Sequence, residues 1–77
     1  MDIKILGTGC AKCEKLAEMA QQAVDELGIE AEVVKVTDLN EIVSFGVMTT
    51  PALAVNGVVK ATGRIPTVEE IEAMIGE

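Results

Sequence analysis

Histidine, tryptophan and tyrosine are all missing from this chain, and phenylalanine occurs once. Without histidine, neither a Cys-His pair nor a Ser-His-Asp triad can be assembled within one chain. Cysteine is scarce too. The only two, Cys10 and Cys13, fall short of the roughly four ligands that a zinc centre takes. Six Lys and Arg stand against thirteen Asp and Glu, a net charge of −7, and no run of them forms a basic stripe. Nucleic acid is thereby disfavoured as a partner, and so is an anionic membrane surface. No apolar run approaches the roughly 20 residues that span a bilayer. Met1-Asp2-Ile3 has neither the basic segment nor the apolar stretch of a signal peptide, so a cytoplasmic location is expected.

What is present suffices for a folded unit. Hydrophobic residues make up 49% of 77 positions, enough for one modest core and against disorder. One domain over residues 1–77 is expected. Residues 3–6 form an apolar run consistent with a buried strand, and Gly7-Thr8-Gly9 turns the chain. Residues 14–27 then carry Leu16, Ala20, Ala23, Val24 and Leu27 on one helical stripe, with Gly28 as the stop. Residues 31–36 favour a strand through Val33, Val34 and Val36. Asp38 is placed to cap a short helix running to Phe45. Residues 52–55 and 58–62 are separated only by Asn56-Gly57, a strong hairpin signal. Thr67 followed by Glu70 reads as a capping box, opening a helix with Val68, Ile71, Met74 and Ile75 inward.

The order is therefore βαβαββα. The first two strands should pair in parallel through a crossover, and the hairpin should extend the sheet antiparallel. Four mixed strands with helices on both faces follow, an α/β fold. In such a sheet, functional groups gather beyond the C-terminal ends of the parallel strands. Cys10 and Cys13 fall at that end, where a strand gives way to a helix.

A Cys-x-x-Cys pair on the first turn of a helix brings its sulfurs within bridging range with little backbone movement. Such a bridge closes too small a loop to serve mainly as a staple. A redox or metal role fits better. Unpaired N–H groups and the helix dipole favour a thiolate at Cys10, and Lys12 adds positive charge, partly offset by Glu14. Cys10, nearer the exposed end, is expected to attack, and Cys13, one turn inward, to resolve. Gly7-x-Gly9 invites a dinucleotide reading, but Lys12 stands where the third glycine belongs. Thr50-Pro51 precedes a strand, and the residues alone favour a trans bond there.

Together these features resemble the thioredoxin superfamily, in particular its minimal thioredoxin/glutaredoxin-like redox-active disulfide proteins. The resemblance runs through Gly-Thr-Gly-Cys-Ala-Lys-Cys, then Met48-Thr49-Thr50-Pro51-Ala52-Leu53, the hairpin, Gly63-Arg64 and the last helix. It implies a minimal thioredoxin-like fold, with Pro51 as the family's cis-proline beside the cysteine pair. It also implies that Cys10 is the nucleophile, Cys13 the resolving thiol, and that Thr50 offers its backbone to a bound substrate strand. Met48 and Gly63 would border the same substrate site. No cofactor is implied beyond a redox-active Cys10–Cys13 disulfide. The implied activity is reduction of target disulfides by a monomer. Its partners would be disulfide-bearing proteins and an upstream thiol or flavin reductase. Lys4 stands where larger thioredoxins carry a buried acid, and the Gly-Gly-x-Asp of glutaredoxins is absent after the fourth strand.

Two other functions use the same residues. Two thiolates suit two-coordinate Cu(I), as in heavy-metal-associated domains of similar length. Those domains, however, place Met where this chain has Thr8 and end on a strand. A dedicated electron-passing subunit would instead dock one partner through apolar residues around the site, with Val47, Met48 and Ile65 expected to be exposed.

Overall fold

Alternation along the central strands decides this architecture, because each sends side chains to both faces of the sheet. The computed structural model describes residues 1–76. It contains β1 (Asp2–Leu6), α1 (Ala11–Leu27), β2 (Glu32–Val36), α2 (Leu39–Ser44), β3 (Ala52–Val55), β4 (Val58–Thr62) and α3 (Val68–Ile75). The strands lie in the order β2-β1-β3-β4. β1 pairs with β2 in parallel and with β3 antiparallel, and β3 pairs antiparallel with β4.

Ile3, Ile5, Leu53 and Val55 face one side, where they pack with Leu16, Ala20, Ala23 and Val24 of α1 and Ile71 and Ile75 of α3. Leu6, Val36, Ala52 and Ala54 face the other, against Ile42 of α2 and Val47. The helices thus cover both faces, two on one and one on the other. Asp2 and Lys4 are the polar residues of β1, on the same face as Leu6. The Lys4 ammonium lies 5.4 Å from the ring centre of Phe45 and 3.7 Å from the Asp2 carboxylate. Among the described residues no helix is long and apolar enough to cross a membrane.

Local chemistry sets the junctions. Asn56 and Gly57 take φ of 51° and 84°, the two positive values that a type I′ hairpin turn requires. The Asp38 side chain accepts N–H bonds from Asn40 at 2.8 Å and Glu41 at 3.3 Å, opening α2. At α3, Thr67 Oγ1 accepts from the Glu70 N–H at 3.2 Å, and Glu70 Oε1 accepts from the Thr67 N–H at 3.1 Å. That backbone bond, aided by the Arg64 guanidinium, holds the Glu70 carboxyl below the usual carboxylate range.

α1 begins at Ala11, ahead of the apolar stripe read over residues 14–27, and Cys10, expected at the helix N-terminus, itself caps the helix. Two sequence expectations are adjusted. Leu27 is 40% exposed at the helix end, and Cys13 and Ala17 complete the buried stripe in its place. Val47, expected at the surface, is only 3% exposed, because it fills the layer between α2 and the sheet.

The core should be unforgiving. Leu53 is fully buried at the centre of the α1–α3 layer. Its replacement by alanine is expected to cost about 2–5 kcal/mol. A domain of this length holds about 4–11 kcal/mol in total. A urea midpoint that falls at unchanged slope would register the loss. Leu39→Ala, at a residue 64% exposed, should change stability by less than about 0.5 kcal/mol.

Candidate functional site

The first turn of α1 organises the site. Cys10 adopts an extended backbone, φ −71° and ψ 165°, which ends the loop and starts the helix. Its sulfur takes the place that Ser or Asp takes at most helix starts, accepting the Cys13 N–H at 3.2 Å. Cys10 and Cys13 form a disulfide, with their Cα atoms 5.1 Å apart. Cys10 is exposed, whereas Cys13 is 5% exposed and belongs to the buried stripe of α1. The two sulfurs are therefore unequal. An incoming group meets Cys10 first, and the Cys13 N–H is aimed at that sulfur.

Gly7 makes room for the buried sulfur. It is buried at the end of β1, and its N–H donates to the Val36 carbonyl at 3.0 Å. A side chain there would collide with Cys13 Sγ, and its Cβ would lie 3.1 Å from the Cys13 Cβ. The same point lies 3.9 Å from the Thr50 Cβ. The β1–α1 loop, Cys13 and the segment before β3 thus converge on Gly7. In the sequence this glycine reads as part of the Gly7-Thr8-Gly9 turn. A glycine that closes a buried strand just before a Cys-x-x-Cys pair is the signal that could have identified it.

The other expected residues lie as follows. The Thr50–Pro51 bond is cis, with Pro51 buried and Thr50 exposed. Gly63, at φ 69°, donates its N–H to the Pro51 carbonyl at 2.9 Å, and a Cβ on it would sit 3.1 Å from Thr49 Oγ1. The segment after β4 therefore backs the segment before β3. Met48 is 92% exposed in that latter segment, and Ile65 is half-buried against the α1–α3 layer. Lys12 is exposed on the first turn of α1. Glu14, expected to offset it, is engaged elsewhere, since its carboxylate accepts from Lys35 Nζ of β2 at 2.7 Å. Among the described residues no group of three or more His, Cys, Asp or Glu gathers around a common point to hold a metal.

Comparison with known proteins points the same way. The family model described as a thioredoxin domain matches residues 1–76. A protein of Methanocaldococcus jannaschii named thioredoxin is 53% identical over 70 residues, covering 91% of this chain and 80% of that one. Another thioredoxin, from Methanothermobacter thermautotrophicus, is 44% identical over 75 residues, 97% of each chain.

Proposed function

The chain belongs to the thioredoxin superfamily, and from that premise we propose that it is a small dithiol–disulfide oxidoreductase working through Cys10 and Cys13. In the reduced form, the Cys10 thiolate attacks one sulfur of a target disulfide. The target's other sulfur leaves as a thiolate and takes a proton from solvent. Cys13 then loses its proton and attacks the Cys10 sulfur, expelling the second target thiol and closing the Cys10–Cys13 disulfide. Two electrons and two protons have passed to the target. An upstream thiol or flavin reductase returns the pair to the dithiol.

The supporting observation is the asymmetry of the pair, with an exposed Cys10 that receives the Cys13 N–H and a Cys13 buried behind it. Lys12 adds positive charge on the same turn. In this reading Thr50 offers backbone groups to an extended stretch of target, beside Pro51. Met48 and Gly63 border that groove. The protein acts as a cytoplasmic monomer on disulfide-bearing proteins and needs no cofactor beyond its own cysteine pair.

Two measurements on one preparation test this. Thiolate absorbance followed against pH should give Cys10 a pKa below the free-cysteine value of about 8.5. With dithiothreitol as electron source, the protein should accelerate reduction of insulin. A Cys10 pKa near about 8.5 with no insulin reduction would overturn the proposal.

A further inference from the structure

We infer that Met48 is the site oxidised next once the cysteine pair is already a disulfide, and that its sulfoxide lowers the capture of protein targets after the pair is reduced again. The inference rests on the oxidoreductase reading for its consequence and on the surface for its chemistry. Met48 is 92% exposed, against 48% for Met1, while Met19 and Met74 are partly buried against the α1–α3 layer. With Cys10 and Cys13 joined, Met48 carries the most accessible thioether of the described residues. It is also held in place. Val47 on one side is 3% exposed in the α2 layer, and Pro51, three residues on, is fully buried. Its side chain is thus presented from a segment anchored at both ends, in the stretch that includes Thr50.

The order of events follows from reactivity. In the reduced protein, hydrogen peroxide reacts first with the Cys10 thiolate, giving a sulfenic acid and hydroxide. Attack by Cys13 then closes the disulfide and releases water. Only further peroxide reaches Met48. The thioether sulfur attacks one peroxide oxygen, the O–O bond breaks, sulfur is oxidised to the sulfoxide and the peroxide is reduced to water. A flexible apolar side chain becomes polar and chiral. A target strand seated beside Pro51 then meets an oxygen where it would have buried a thioether.

The test starts from the disulfide form treated with hydrogen peroxide, which is then removed. Peptide mass spectrometry should find one added oxygen at Met48 before Met1, Met19 or Met74. After reduction with dithiothreitol, kcat/KM for insulin should fall about tenfold, which corresponds to about 1.4 kcal/mol. Reduction of a small aromatic disulfide, which makes no strand contacts, should be unchanged. Met48→Leu should show equal insulin rates with and without peroxide, each sample compared with its own untreated control. Oxygen on other methionines with Met48 spared would overturn the inference. So would an oxidised Met48 with an undiminished insulin rate. The untreated wild-type rate checks the oxidoreductase reading separately, and the mass map decides the modification whichever way that rate falls.

Discussion

Gly7→Ala is expected to cost the chain most of its redox activity and a sizeable share of its stability. The added methyl group would overlap Cys13 Sγ. In the disulfide form that sulfur cannot swing aside, because it is tied to Cys10 and its own backbone lies within α1. The glycine is held in place, since its N–H is bonded to the Val36 carbonyl, and the Thr50 Cβ lies close to the same added carbon. Overpacking of this kind costs typically about 1–3 kcal/mol. A reacting atom misplaced by about 1 Å can lose on the order of 100-fold in rate. Insulin reduction and urea unfolding, measured on the same variant, read both effects. Gly9→Ala is the control. At φ 89° it meets a conformational penalty of about 1–2 kcal/mol but no neighbour within 4 Å, so it should lose stability without displacing Cys13. A Gly7→Ala protein with wild-type rate and midpoint would mean that the resolving sulfur does not sit over Gly7.

Cys10→Ser should reduce disulfide exchange to background, a loss on the order of 1000-fold or more, because a serine hydroxyl without a general base is a poor nucleophile. Unfolding cannot account for such a loss. The Cys10–Cys13 loop has a sequence separation of 3, and closing so short a loop contributes at most about 2 kcal/mol. The domain's total is about 4–11 kcal/mol. Circular dichroism of the variant should therefore remain native. Cys13→Ser should behave differently, performing the attack and failing at release. Equal activity in Cys10→Ser and wild type would remove Cys10 from the chemistry.

The features legible in the sequence are those whose cause is local. Asn56-Gly57 specifies its turn because few other residue pairs tolerate two positive φ angles. Asp38 and the Thr67–Glu70 pair announce helix starts because their partners lie two or three residues away. The alternation that covers both faces of β1 and β3 was visible as apolar runs. Features that depend on distant segments were not visible. Cysteine is seldom a helix cap, so the capping role of the Cys10 sulfur shows only in its acceptance of the Cys13 N–H. Val47 follows Gly46 in a segment with no periodicity, and only the packing of α2 on the sheet buries it. Lys35 and Glu14 are 21 residues apart, and their contact depends on β2 lying beside β1. The cis bond at Thr50–Pro51 followed from family resemblance, where the residues alone favoured trans.

Trapping with Cys13→Ser tests the central claim most directly. The variant, incubated in cell extract and separated without reductant, should carry protein adducts at Cys10 that dithiothreitol releases. Adding Cys10→Ser to it should abolish them, and the released proteins would identify the targets. If no adducts form, and the wild-type protein is isolated instead with copper bound at its thiols, the chain is a metal carrier and the oxidoreductase account is wrong.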